Sequence, residues 1–93
     1  MSKVVLEGYI VVPDNDLAAV TAELPTHIQH SRKEDGCLQF EVTQQPEAQN
    51  IFNVYEEFVD RHAFEAHQLR VSTSAWGNIA ANVERHYSVT EIE

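Results

Sequence analysis

The chain has 93 residues, 43% of them hydrophobic, and carries six Lys and Arg against fifteen Asp and Glu, for a formal net charge of −9. Such a surface repels phosphate backbones and anionic headgroups, and Lys3, Arg32, Lys33, Arg61, Arg70 and Arg85 form no basic cluster, so no nucleic acid and no membrane is expected as a partner. A phosphorylated small molecule stays compatible with this balance, because one or two arginines suffice to hold it.

The length predicts a single domain over residues 1–93. A domain of this size buries only roughly 60–65% of its unfolded surface. Cys37 is the one cysteine, so no internal disulfide compensates, and a second subunit is the expected source of extra burial. A lone cysteine fits a reducing compartment. No apolar run approaches the roughly 18–20 residues that span a bilayer, and the opening segment, interrupted by Glu7, reads as a strand and not as a signal peptide. The expectation is a cytoplasmic protein.

From Lys3 to Val12 the chain is dense in β-branched and aromatic residues, apolar on both parities, which predicts a strand covered on both faces. Pro13-Asp14-Asn15-Asp16 is a stop followed by a cap, with Asp14 or Asp16 as the acceptor for the first free N–H groups of a helix. Leu17, Val20, Leu24, Ile28 and Ser31 then fall on one helical stripe; Pro25 interrupts it and predicts a kink or two helical pieces. Gly36 is placed to end the segment in a left-handed conformation.

Residues 37–43 alternate, with Leu38, Phe40 and Val42 on one face, and residues 51–58 form a second strand across a polar turn containing Pro46. Asp60 can cap a helix with Ala63, Phe64, His67 and Val71 on one side, and a second helical piece from about Thr73 turns Trp76, Ile79 and Ala80 inward. Asn82 to Ile92 reads as a final strand with Val83, Arg85, Tyr87 and Val89 on one face. The resulting β-α-β-β-α-β order is α+β and ferredoxin-like, an antiparallel sheet with both helices on one face. Its other face needs water or a partner.

Three segments resemble one family. Glu34-Asp35-Gly36-Cys37-Leu38-Gln39-Phe40 resembles the E-x-G-C-x-x-[YF] signature of antibiotic-biosynthesis-monooxygenase domains. Within Phe52–Phe58, Tyr55-Glu56-Glu57-Phe58 resembles their [YF]-E-x-[WYF] strand, and Ala63-Phe64-Glu65-Ala66-His67 resembles the A-[FY]-x-x-H that opens their second helix. The resemblance implies that two ferredoxin-like monomers pack their open sheet faces into a dimeric α/β barrel. It also implies a small-molecule cavity between sheet and helices in each subunit. Characterised relatives include cofactor-independent oxygenases of quinols and polyketide phenols, haem-degrading enzymes, and an isomerase of a phosphorylated dione, so fold membership alone does not decide the reaction. Phe58 stands where the polyketide-type enzymes carry Trp. Glu7 and Gly8 stand where the haem degraders offer an Asn, and haem cleavage is not expected.

Two polar residues stand out. His67 shares the apolar stripe of its helix with Ala63 and Phe64, where an imidazole can move a proton near neutral pH or can equally serve as a hydrogen-bonded structural residue. Glu56 shares a strand face with Phe52, Val54 and Phe58. If that face meets the helices, its pKa rises and a base role opens; a structural ion pair with Arg32 or Arg70, or a bond to His67, is the alternative. Asn53, Tyr55 and Glu57 point the other way, toward the expected dimer interface. Tyr87 and Trp76 read as core. Cys37 reads as a small apolar residue with no adjacent base. His27 and His30 supply two ligands without a third, and His62 and His86 read as solvent or interface residues, so no metal is assigned. With glycine only at 8, 36 and 77, no phosphate-binding loop exists.

The leading expectation is a monooxygenase or quinol-type oxidase that needs no cofactor and acts on a small aromatic or enolic substrate. His67 is its proton acceptor, Glu56 orients it, and Phe52, Phe58 and Phe64 form the apolar wall. An isomerase of a small carbonyl compound, using the same His67, is the second expectation. A non-catalytic dimer that binds a small ligand is the third.

Overall fold

A computed structural model describes residues 2–93. Strand β1 (Lys3–Val11) runs through a short 3-10 turn (Asp14–Asp16) into helix α1 (Leu17–Arg32). The hairpin β2 (Cys37–Gln45) and β3 (Ala48–Phe58) follows, then helices α2 (Arg61–Ser72) and α3 (Ala75–Ile79), and strand β4 (Glu84–Ile92). The strands form one antiparallel sheet in the order β2-β3-β1-β4. This is the ferredoxin-like α+β arrangement that the sequence predicts, with α3 as a short continuation of the second helix.

Alternation along the central strands sorts the side chains. In the register of β1 and β3, Val4 opposes Phe58, Leu6 opposes Glu56 and Ile10 opposes Phe52, and all six are buried. The helices close this face with Val20, Leu24, Phe64, Trp76 and Ala80. Each fully buried large apolar side chain stabilises the fold by about 1.5–3 kcal/mol. Val5 stays buried on the opposite, open face. There Tyr9 stacks on His86 at 4.6 Å, and Glu57 accepts from the Tyr55 hydroxyl at 2.6 Å and pairs with Lys3 at 3.0 Å.

Several details depart from expectation. Helix α1 is continuous through Pro25. Proline deletes one backbone bond, but the buried Leu24 and His27 on either side hold both halves to the core. Asp16 occupies the N-cap of α1 without a side-chain bond, and the 3-10 turn before it is closed by the Asp16 N–H donating to the Pro13 carbonyl at 2.9 Å. Asp14 instead accepts from Asn50 Nδ2 at 2.8 Å and ties the turn to β3. Leu38 does not share a face with Phe40 and Val42: the β2–β3 ladder slips between Cys37 and Gln39, so Leu38 is the extra residue of a bulge and is 54% exposed. β4 starts at Glu84, after the buried Val83, and Tyr87 is 37% exposed because the helices leave this edge strand uncovered.

Other local expectations match. Asp60 Oδ1 accepts from the Ala63 N–H at 2.8 Å and caps α2, and Ser74 caps α3 through the Gly77 N–H. Gly36 has φ +85°, and a Cβ there would lie 2.7 Å from the Ala63 Cβ. Glycine is therefore required for both conformation and space. Among the described residues no helix is long and apolar enough to cross a membrane.

Candidate functional site

Helix α2 brings His67 to the sheet because Phe64 and His67, three apart, share its inner face. The imidazole is 3% exposed, with Phe58 at 5.0 Å and Phe40 at 5.4 Å between ring centroids. Its Nδ1 lies 2.6 Å from Glu34 Oε1. Glu34 stands in the turn after α1, where its N–H donates to the Ser31 carbonyl and its carbonyl accepts from the Cys37 N–H, each at 3.2 Å. The second oxygen of Glu34 accepts from Arg70 Nε at 2.6 Å, and Arg70 Nη2 donates to Ser31 Oγ at 3.2 Å. Arginine, carboxylate and imidazole thus form one chain of charge-assisted bonds. The partner on Nδ1 sets the tautomer: Nδ1–H donates to Glu34 and Nε2 carries the lone pair.

On the Nε2 side stands Glu56 Oε1 at 3.7 Å, too far for a hydrogen bond. Glu56 is 6% exposed and its Oε1 has no partner among the described residues. Burial first, then the negative charge of Glu34, raises its pKa to about 8, so it is a neutral acid at pH 7. His67 is pushed below its ordinary value by burial, against the hydrogen bond and charge of Glu34, which favour the proton. A neutral imidazole and a neutral carboxylic acid therefore lie side by side, 3.7 Å apart, in the interior.

The two predicted polar residues, His67 and Glu56, are brought together, but Glu56 does not orient the ring by a hydrogen bond; Glu34 holds Nδ1. Neither expected ion pair of Glu56 forms, since Arg32 donates to the Phe40 carbonyl at 2.9 Å and Arg70 is bound to Glu34. Phe58 packs on His67, and Phe64 on Phe58 at 5.6 Å. Phe52 stands four residues up β3 from Glu56 and lines a separate cleft of about 450 Å³ with Leu24, Pro25 and Ile28. The Cys37 thiol donates weakly to the Gln39 carbonyl at 3.7 Å, and burial and Glu34 raise its pKa, which disfavours a nucleophile.

Glu34, Arg70 and Phe40 complete the site without having been singled out as its members. Glu34 opens the first of the three motifs, which was the available signal. Its partner lies 33 residues away, a pairing that no local period encodes. His27 was missed as a core residue: it is 6% exposed and stacks on Trp76 at 4.4 Å and 7°. Burial first, then repulsion by the protonated forms of its neighbours and by Arg70, lowers it to about 3. Among the described residues no three His, Cys, Asp or Glu side chains converge on a metal-sized point.

Comparison with known proteins accords with this architecture. Comparison with curated proteins gives no match. Among solved structures, a Bacteroides thetaiotaomicron protein of unknown function is similar at 18% identity, with 98% of each chain covered and a TM-score of 0.77. A Nitrosomonas europaea protein whose name places it among the antibiotic biosynthesis monooxygenases is 19% identical, covering 97% of this chain and 86% of that one, with a TM-score of 0.76. The Pseudomonas aeruginosa protein PA3566 is 24% identical over 99% and 93% of the two chains, with a TM-score of 0.73. At these identities the likeness speaks for the fold alone. Residues 3–81 match the family model described as antibiotic biosynthesis monooxygenase, and the chain belongs to that family.

Proposed function

We propose that the protein is a monooxygenase of small phenols or quinols that works without a bound cofactor, with His67 as its general base. The observation that carries this reading is the Nε2 of His67, which makes no hydrogen bond among the described residues, lying 3.7 Å from the unpartnered, buried Oε1 of Glu56 beside the Phe58 ring. The substrate hydroxyl bridges the two atoms from one side, since a 3.7 Å separation leaves no room on the line between them. Nε2 accepts its proton, and the imidazolium that forms is stabilised by the Glu34 carboxylate on Nδ1, which Arg70 holds in place. The neutral Glu56 donates a hydrogen bond to the phenolate oxygen. The electron-rich ring carbon then adds dioxygen, and the hydroperoxide loses water to leave a quinone. For a phenol with a free para position this balances as phenol plus O₂ to quinone plus water, with all four electrons supplied by the substrate. Burial of both groups keeps bulk water from the carbanion-like species.

The test is oxygen uptake with a phenol or quinol and no added flavin, haem or metal. His67→Ala should lower the rate by about 10²–10⁴-fold, the usual contribution of a positioned base. Full activity in that variant, or a strict need for flavin, would overturn the reading. A neutral base beside a neutral acid is also what an isomerase of a small carbonyl compound requires, and product formation without oxygen separates the two.

The open sheet face is the surface we assign to a second copy of the chain, on the strength of Val5, Tyr9 and Tyr55 lying there with no helix above them. Light scattering at micromolar concentration should return a dimer. The single cysteine suits the reducing cytoplasm as its compartment.

A further inference from the structure

The cleft that Phe52 lines lies outside the His67 site, between α1 and the β2–β3 hairpin, and its volume of about 450 Å³ falls in the range of small-ligand pockets. Leu24, Pro25 and Ile28 form its helical wall, Phe52 its floor, and Gln44 part of its rim. Proline is the costliest residue inside a helix. Pro25 is exposed, so core packing does not offset that cost. What its ring does instead is line the cleft with apolar surface.

The single charge in this lining is Arg32. Its Nε donates to the Phe40 carbonyl at 2.9 Å, which anchors the guanidinium on the outer edge of the sheet. Among the described residues its Nη atoms make no hydrogen bond and Arg32 forms no ion pair. Glu41 lines a separate hollow along the β2 bulge, which Arg32 also borders, and its Oε2 accepts from Gln39 Nε2 at 3.1 Å. An anchored guanidinium with open donors suits a planar carboxylate, and one positive charge is matched by one negative charge. The wall beside it calls for an apolar body on the same molecule.

We propose that this cleft binds a small amphipathic monocarboxylate, its oxygens accepting from the Nη atoms of Arg32 and its alkyl or aryl chain lying along Leu24, Pro25 and Ile28. The site is independent of the oxygenase reading, because His67, Glu56 and Glu34 line no part of it.

Sodium octanoate, titrated at constant ionic strength and followed by amide NMR, should move the signals of Leu24, Ile28, Arg32 and Gln44 saturably. It should bind at least about ten-fold more tightly than the uncharged isostere octanamide. Arg32→Gln should weaken octanoate about ten-fold and leave octanamide unchanged. Pro25→Ala restores the missing helical bond and should raise the melting temperature, yet weaken both ligands about three-fold by removing two ring methylenes from the wall. An absence of saturable shifts in the wild type, equal affinity for octanamide, or undiminished octanoate binding by either variant overturns the proposal. Should Arg32→Gln fail to fold, the wild-type map decides, since shifts centred on Trp76 or on the open sheet face overturn it as well.

Discussion

The two buried histidines occupy neighbouring regions, their rings 6.3 Å apart, and are 3% and 6% exposed, yet they meet different chemistry. Around His67 the protein supplies a carboxylate at 2.6 Å; around His27 it supplies the faces and edges of Trp76 and Phe40. Burial lowers the proton affinity of both. Only His67 has an opposing anion that partly restores it, while His27 is driven to about 3 by burial and the positive groups beside it. The difference shows that the partner of a buried imidazole, more than its depth, decides whether it can exchange a proton near neutral pH.

Among changes around the two rings, removing that partner should have the largest effect. Glu34→Gln keeps an acceptor on Nδ1 but deletes the charge that stabilises the imidazolium, and kcat/KM should fall by about 10–10²-fold. Because Glu34 raises the affinity of His67 for its proton, the acid limb of the pH–rate profile should move to lower pH in this variant. An unmoved limb would mean that another group titrates there.

Displacing the turn that carries Glu34 is the next lever. Gly36→Val forces a branched residue to φ +85° and its Cβ to 2.7 Å from Ala63, so the fold should lose about 1–3 kcal/mol, read as a lower melting temperature. The His67 region should loosen first, visible as loss of the His67–Glu34 bond by NMR, with the His27–Trp76 stack retained.

The pH dependence of stability separates the two regions, which pull in opposite directions. Glu56, with a folded value near 8 against an ordinary 4.5, contributes stability that is complete below about 4.5 and is lost as pH rises through 8. His27, near 3 against 6.5, contributes stability that is complete above 6.5 and is lost as pH falls toward 3. Melting temperature should therefore peak at about pH 5–6. Glu56→Gln should flatten the alkaline side and His27→Phe the acid side; a wild-type curve that rises steadily to pH 8 would contradict the assignment of Glu56.

What the sequence made legible was local. Alternation from Phe52 to Phe58 placed four side chains on the core face, and the same rule put Glu56 among them. The Asp60 cap and the left-handed Gly36 followed from residue chemistry at single positions. Leu38 broke the alternation because a bulge is a two-strand event, set by how β2 meets β3. The bond between Glu34 and His67 and the stack of His27 on Trp76 each join distant parts of the chain, and neither period nor propensity carries such information. The centre of the site was thus partly readable, and its supporting residues were not.

The unbroken course of α1 through Pro25 leaves a mark on how that helix is held. No amide hydrogen exists at position 25 to reach back to the Thr21 carbonyl, so one rung of the ladder is missing between Val20 and His27. Side-chain burial bridges the gap: Val20 and Leu24 before the proline and His27 and Ser31 after it all sit in the interior, so the helix is kept whole by the sheet beneath it more than by its own backbone.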